Sequence, residues 1–156
     1  MDTCRIDVAN LAGQWVGTNR LWLSPKEPAR ESPTEARVAL VAQGQFVTIH
    51  YTWADEGAPQ DGLLIIGCQR KLNAMKAVWV DSWHYQDRFM LCEGTVGASG
   101  LISFKGSYAA PPGPDWGWRI DIEPERRGKF RIVMHNVSPD GKAELAVEAS
   151  YARQLR

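Results

Sequence analysis

Gly13-Gln14-Trp15-Val16-Gly17 begins the first segment of this sequence that alternates between apolar and polar residues. Along the chain, apolar residues alternate in this way and do not recur at helical spacing, a pattern that predicts β-strands. We predict a first strand over residues 11–24 around this stretch. A loop that contains Pro25, Pro28 and Pro33 follows it.

Turn signals divide the rest of the chain at intervals of roughly 8–12 residues, which is typical of β-barrels and β-sandwiches. Gln43-Gly44-Gln45 is one such turn, where the glycine supplies the positive φ that a tight hairpin needs. Residues 55–62 and the rigid loop Pro111-Pro112-Gly113-Pro114 are two others. The further predicted strands cover residues 36–42, 46–53, 63–68, 74–82, 88–94, 101–108, 116–123, 129–137 and 143–153.

About ten successive strands joined by short turns predict an antiparallel meander within one domain, residues 1–156. An open sheet of this size would have two exposed edges, whereas closure into a barrel removes them. A barrel of about eight strands holds its own side chains or one small ligand, so about ten strands predict an interior cavity. The prediction is an all-β fold, a single closed antiparallel up-and-down β-barrel, and a two-sheet sandwich is the alternative.

The composition of the chain limits the classes of function. Hydrophobic residues make up 44% and charged residues 23%, which is ordinary for a globular protein and argues against disorder. The 18 basic residues balance 18 acidic ones with no run of like charge, so neither nucleic acid nor a membrane is an expected partner. The 7 tryptophans are unusual, since each has a large ring and one N–H that needs a partner when buried.

The three cysteines, Cys4, Cys68 and Cys92, are widely spaced and include no CxxC pair. Their number and spacing argue against a disulfide framework and a zinc site, so we expect reduced thiols and no metal. The N-terminus has no basic-then-apolar signal pattern, and no apolar run approaches the roughly 20 residues of a membrane helix. A cytoplasmic location is the expectation, and assembly as a homodimer is left open.

The strand that contains Gly13-Gln14-Trp15 resembles the G-x-W entry strand of lipocalins, fatty-acid-binding proteins and nitrobindin-like barrels. In those families the tryptophan plugs one end of the barrel, and a basic residue of the last strand lies across its ring. The resemblance therefore implies a lipocalin-like, or calycin, barrel in which Trp15 and Arg153 form the closure pair. Such a contact combines stacking with a cation–π attraction of about 0.5–2 kcal/mol.

A second resemblance covers nearly the whole chain. The segments Arg20-Leu21-Trp22-Leu23-Ser24-Pro25, Trp79-Val80-Asp81-Ser82-Trp83-His84 and Trp116-Gly117-Trp118-Arg119 are similar to the signature of a bacterial family known only as a domain of unknown function. This resemblance implies a lipocalin-like barrel and supplies no activity.

The end of the fifth predicted strand is the most suggestive segment for chemistry. Alternation puts Trp79, Asp81 and Trp83 on one face of that strand. If the face is internal, burial raises the pKa of the Asp81 carboxyl unless a cation such as His84 or Arg119 compensates. The alternative is a strand-end aspartate that caps the following turn, with His84 in solvent.

Trp116-Gly117-Trp118-Arg119 forms a second pattern of this kind. Simple alternation places the tryptophans on the core face and Arg119 outside, whereas a bulge at Gly117 would turn Arg119 inward. An inward Arg119 would bind a ligand carboxylate through its planar guanidinium. We favour the outward position, in which Arg119 belongs to a solvated face.

The third strand is predicted to point Tyr51 and Trp53 inward and His50 outward. Nitrobindin-like barrels bind haem iron through a histidine on the final strand, and the final strand here has none, so haem is disfavoured and no cofactor is expected. No serine lies in a G-x-S-x-G elbow, and no glycine-rich turn opens a helix. Nucleophilic catalysis and phosphate binding therefore have no support.

The favoured hypothesis is a non-enzymatic protein that binds a small apolar or aromatic ligand in the barrel cavity. The candidate wall residues are Trp22, Tyr51, Trp53, Trp79 and Trp118, with Asp81 or Arg119 as polar anchors. A second hypothesis is a small enzyme that uses Asp81 and His84 for acid–base chemistry. The third is a solid structural or interaction barrel that binds no ligand.

Overall fold

Strands dominate the structure of this chain. The computed structural model describes residues 8–72 and 74–155, and within them only two short 3-10 helices accompany the strands, at Ala9–Leu11 and Arg70–Leu72. The strands are β1 (Gly13–Leu21), β2 (Arg30–Val41), β3 (Phe46–Asp55), β4 (Ala58–Gln69), β5 (Ala74–Asp81), β6 (Met90–Val96), β7 (Ile102–Tyr108), β8 (Trp116–Glu125), β9 (Lys129–Val137) and β10 (Ala143–Arg153). Among the described residues, no helix has the length and apolar character needed to cross a membrane.

The ten strands close into one antiparallel barrel in which each strand pairs with its neighbours along the chain. β1 and β10 complete the ring, with paired residues running from Trp15 opposite Arg153 to Leu21 opposite Val147. Closure gives each of the ten strands a partner on both sides, which is the reason for favouring a barrel over a sandwich. The predicted all-β, ten-stranded, closed antiparallel barrel is confirmed.

The strand bounds differ from the prediction mainly in β2 and β4. β2 begins at Arg30, upstream of its predicted start, and Pro33 lies within it. β4 begins at Ala58, because the break predicted over residues 55–62 is only a tight turn at Glu56-Gly57. Both turn residues have a positive φ, which lets the chain reverse direction sharply.

The two ends of the barrel differ in their connections. Tight turns join the strands at one end, which contains Trp15 and is called the Trp15 end below. Longer connections, residues 22–29, 82–89 and 109–115, join strands at the opposite end. We call it the Asp81 end, because Asp81 is the last residue of β5 there.

Trp15 fills the interior at the Trp15 end and is almost fully buried. Its indole N–H donates to the carbonyl of Leu11 at 2.8 Å, and Phe130 packs edge-on against its ring at a centroid distance of 4.6 Å. The Arg153 guanidinium lies 4.4 Å above the same ring and donates to the carbonyl of Ala12 at 2.8 Å. The contact that the resemblance implies is therefore present, and it joins the last strand to the first.

The cysteines differ from the expectation of reduced thiols. Cys68 on β4 is disulfide-bonded, Cys92 is a free buried thiol, and Cys4 lies outside the described residues. The expectation is wrong for Cys68, because spacing along a sequence does not show which residues approach within bonding distance. Burial raises the pKa of Cys92 to about 11, which keeps that thiol protonated. The disulfide also removes one argument for a cytoplasmic location, which stays a prediction.

Candidate functional site

Asp81 points into the barrel and is 2% exposed. Its Oδ2 accepts a hydrogen bond of 2.7 Å from the hydroxyl of Tyr51. The Tyr51 oxygen in turn accepts a bond of 2.9 Å from the indole N–H of Trp79. A buried chain of polar groups therefore crosses the core at the Asp81 end, and each of its members has a partner.

Gly62 explains how a tyrosine of β3 reaches an aspartate of β5 across the intervening strand. Tyr51, Gly62 and Asp81 are in register across β3, β4 and β5. A Cβ atom on Gly62 would lie 2.2 Å from the Tyr51 hydroxyl oxygen, so only glycine leaves room for the ring. Gly62 is not among the site residues that the sequence predicts. The signal that could have found it is a glycine inside a strand, which marks a close approach of another group.

The other carboxylate oxygen of Asp81 holds the turn that follows β5. Oδ1 accepts hydrogen bonds from the backbone N–H groups of Trp83 at 2.9 Å and His84 at 2.8 Å, and it lies 3.2 Å from His84 Nδ1. Asp81 therefore faces the interior and also caps the next turn, so the two alternatives that the sequence offers for this residue are both present. His84 is not in solvent, since its side chain is only 10% exposed.

The pKa of Asp81 reflects burial opposed by hydrogen bonds. Burial alone would raise this pKa, but the donors on the ring and backbone of His84 and on Tyr51 outweigh it and hold the pKa below its ordinary value. Burial and the adjacent Asp81 carboxylate raise the pKa of Tyr51 well above its ordinary value. At neutral pH the site therefore contains an ionised Asp81 and a neutral Tyr51.

An ionised Asp81 determines which nitrogen of His84 carries a proton. A carboxylate can only accept, so Nδ1 must donate across the 3.2 Å that separates it from Oδ1. In the neutral imidazole the second nitrogen, Nε2, is then an acceptor. Nε2 is buried and has no hydrogen-bond partner among residues 8–72 and 74–155.

Four tryptophan rings surround His84, and we call them the tryptophan cage. The rings of Trp83, Trp118, Trp53 and Trp79 lie at centroid distances of 4.7, 5.4, 5.6 and 6.1 Å from the imidazole. Trp79 and Trp118 also stack on each other at 5.3 Å. The indole N–H of Trp118 is buried and finds no hydrogen-bond partner in the described part of the chain. The cage therefore contains two polar atoms that the surrounding protein does not satisfy.

The structure brings most of the predicted wall residues together at the Asp81 end. Tyr51, Trp53, Trp79 and Trp118 are all buried there. Trp22 lies in the connection after β1 at the same end, is half-buried and does not belong to the cage. His50 points outward and pairs with Asp61 on the barrel surface. Within the described ranges, no group of three or more His, Cys, Asp or Glu residues could hold a metal ion.

Arg119 lies on the outer face of β8. Neither pairing of β8 contains a register shift, so Gly117 does not form the bulge that would turn Arg119 inward. The guanidinium lies 3.2 Å from His135 Nδ1 and 3.3 Å from a carboxylate oxygen of Asp121, both on the same outer face. Arg119 therefore does not line the interior, and it cannot anchor a ligand carboxylate there.

Two concave regions of the described structure lie away from the cage. A cavity of about 250 Å³ at the Trp15 end includes Val47, Ile66 and Met75 in its lining. A groove of about 920 Å³ crosses the outer surface near Val78 and Leu91. The His84 imidazole lies among the cage rings, so the predicted wall residues pack around a side chain of the protein itself.

Fold and site together define a class of protein, a closed ten-stranded antiparallel β-barrel with a buried aspartate–histidine pair at one end. The chain belongs to the family described as protein of unknown function DUF1579, whose model matches residues 7–153. The predicted membership in a family of unknown function is thereby confirmed.

A solved structure gives a likeness in fold. The crystal structure of Rv2717c from M. tuberculosis aligns with a TM-score of 0.60 and 14% sequence identity, and the alignment covers 95% of each chain. At that identity the likeness shows the fold alone. Comparison with curated proteins found no match.

Proposed function

We propose that this protein binds a small, largely apolar or aromatic ligand at the Asp81 end of the barrel. The observation that carries the proposal is a pair of polar atoms buried in the tryptophan cage, His84 Nε2 and Trp118 Nε1, which have no hydrogen-bond partner among the described residues. Buried polar atoms without a partner are rare and costly, so they indicate a place where another molecule binds. Ligand sites combine apolar walls with a few polar groups, which is the composition of this cage.

Asp81 has a positioning role in this proposal, which differs from the anchoring role that the sequence suggested. Its two oxygens already accept hydrogen bonds from Tyr51, from the Trp83 backbone and from His84. A ligand would have to compete with these bonds to reach the carboxylate. His84 Nε2 is the better anchor, because it is oriented by Asp81 and is itself unpaired.

Ligand entry requires movement of residues 82–89, which connect β5 and β6 at the Asp81 end. In this structure the cage is occupied by the protein's own imidazole, so an aromatic ligand has to displace part of that packing. Trp83 and Tyr85 lie in this segment and are only partly buried. They can move at lower cost than Trp79 and Trp118, which are held within strands.

Two-dimensional NMR of the indole N–H groups tests the proposal. We expect titration with phenol, toluene, indole or octanoate to shift the Trp79 and Trp118 signals and to leave that of Trp15 at the opposite end unchanged. His84→Ala should weaken binding. His50→Ala is the matched control, because His50 is an exposed histidine on the outer face of β3. No saturable shift up to millimolar ligand would contradict the proposal.

Acid–base catalysis is a second candidate function, and the 3.2 Å contact between Asp81 and His84 favours it. A carboxylate behind Nδ1 orients an imidazole and stabilises its protonated form, which suits a general base. Under this function His84→Gln abolishes conversion of a bound molecule while the protein stays folded. Mass spectrometry of ligands recovered after incubation with the protein distinguishes a catalyst from a binder.

A solid barrel without a ligand is the third candidate. The burial of Trp79 and Trp118 favours it, because these rings already pack on each other. The same NMR titration decides between a solid barrel and a binder, since a solid barrel gives no saturable shift at the cage.

A further inference from the structure

We infer that the ligand of the tryptophan cage carries an aromatic hydroxyl, in the simplest case a phenol, whose oxygen is bound between His84 Nε2 and Trp118 Nε1. The inference rests on the proposed function and narrows its ligand class. It follows from which of the two atoms donates a hydrogen bond and which accepts one.

His84 provides the acceptor. Asp81 Oδ1 accepts from the backbone N–H of His84 and faces His84 Nδ1, so the same carboxylate fixes the position of the residue and the proton on Nδ1. When the imidazole is neutral, its lone pair is then on Nε2. Because Nε2 is buried within the cage, it can satisfy this lone pair only with a group that donates a hydrogen bond.

Trp118 provides the donor. An indole N–H can donate and cannot accept. The Trp118 ring is held by its stack on Trp79, whose own N–H is already used by Tyr51. The imidazole of His84 and the ring of Trp118 are adjacent, 5.4 Å apart between centroids, so a ligand that reaches one ring lies beside the other.

A hydroxyl is the simple group that matches one acceptor and one donor with a single atom, because its O–H donates and its oxygen accepts. An ether or ketone oxygen would satisfy Trp118 and leave His84 unpaired. A carboxylate would face the lone pair of His84 Nε2 with a negative charge. The surrounding rings of Trp53, Trp79 and Trp83 favour a flat aromatic ligand, since aromatic pairs gain from offset-stacked and edge-to-face contacts.

A series of ligands with one ring and different polar groups tests the inference at neutral pH. Phenol carries a hydroxyl, anisole an ether oxygen, and toluene no polar group. We expect phenol to bind about tenfold more tightly than anisole or toluene, because each of the others leaves at least one buried polar atom unpaired. Binding of phenol should also move the Trp118 indole N–H signal downfield, as expected for a new hydrogen bond.

Two variants of the cage separate the hydrogen bonds from the packing. Trp118→Phe removes the donor and His84→Phe removes the acceptor, and each keeps an aromatic ring. His84→Phe should remove the roughly tenfold preference for phenol over anisole, whereas Trp118→Phe should reduce the preference for phenol over toluene and keep the preference over anisole. Trp116→Phe, at the start of β8 and outside the cage, is the matched control and should leave the preference unchanged. If a cage variant does not fold, the ligand series on the native protein still decides.

The outcomes separate the inference from the function on which it rests. Tighter binding of phenol than of anisole, lost in His84→Phe, supports both. Equal binding of phenol, anisole and toluene overturns the hydroxyl inference and leaves the proposed aromatic ligand site in place. Binding of none of the three, nor of indole or octanoate, overturns the proposed function together with the inference.

Discussion

Asp81 connects the interior of the barrel to the turn that closes over it. One of its oxygens binds the Tyr51 hydroxyl across Gly62, and the other binds the backbone of Trp83 and His84. Hydrogen bonds to a charged group contribute more to stability than neutral ones, and their loss in a buried site leaves several donors unpaired. Asp81 is therefore expected to affect stability as well as ligand binding.

Asp81→Asn is expected to lower the free energy of unfolding by about 2 kcal/mol at neutral pH, because an amide oxygen replaces a charged acceptor. The folded-state pKa of Asp81 lies below its ordinary value of 3.8, so its contribution is complete above that value. The contribution is lost as the pH falls below 3.8 through the folded-state pKa. Urea unfolding of native and variant protein at pH 7 and at about pH 3, followed by tryptophan fluorescence, measures the effect.

Asp61→Asn is the matched control for this measurement. Asp61 is an exposed carboxylate that pairs with His50 on the outer surface, and such pairs contribute little to stability. Its replacement should therefore leave the unfolding curve nearly unchanged at neutral pH. A difference between native protein and Asp81→Asn that is as large at low pH as at neutral pH would rule out the ionised carboxylate as its cause.

The sequence allowed part of this site to be predicted. Strand alternation correctly groups Asp81 with Trp79 on the inner face of β5. The contact with Tyr51 could not be predicted, because it depends on strand register across Gly62, which alternation within one strand does not define. The inward position of His84 depends on the shape of a turn, and the local sequence fits several turn shapes.

At the scale of the strands, β1 and β10 approach each other closely at Gly17. A Cβ atom on Gly17 would lie 1.7 Å from the carbonyl oxygen of Ser150, a backbone atom that cannot move without moving its strand. Gly17 is therefore required by the packing of the two strands whose pairing closes the barrel.

Gly17→Ala is expected to destabilise the fold by at least about 2 kcal/mol, because the added methyl group forces β1 and β10 apart. Thermal unfolding followed by circular dichroism measures the loss. Gly113→Ala is the control, since the nearest atom to its new methyl group is 3.7 Å away in the connection between β7 and β8. Equal melting temperatures for the two variants would show that the strands can separate at Gly17 without cost.

The strand bounds show where the sequence pattern predicts the start of a strand correctly and where it does not. Pro33 suggested a loop, yet it lies within β2. β2 pairs with β3 only from Glu35 onward, so at Pro33 it is bonded to β1 alone and the missing N–H is tolerated. β9 and β10 match their predicted bounds, because clear turn signals flank both.

At the scale of the whole molecule, closure could be predicted and the state of the interior could not. About ten strands in sequential order need to close in order to remove their edges, which follows from strand number alone. Whether a closed barrel is empty or filled depends on how individual rings pack. Here the Asp81 end is filled because a histidine from a connection, and not from a strand, enters the tryptophan cage.

Closure at the Trp15 end depends on Arg153, which lies over the Trp15 ring and donates to the carbonyl of Ala12. Arg153→Ala is therefore expected to lower the free energy of unfolding by about 1–2 kcal/mol. This contact joins the first strand to the last. Circular dichroism and tryptophan fluorescence of the Arg153→Ala variant should therefore report one common unfolding transition. Arg153→Lys should give an intermediate loss, since an ammonium group keeps the charge without the planar stacking surface. Arg37→Ala on the exposed face of β2 is the control, and equal stability of the two alanine variants would exclude a role of Arg153 in closure.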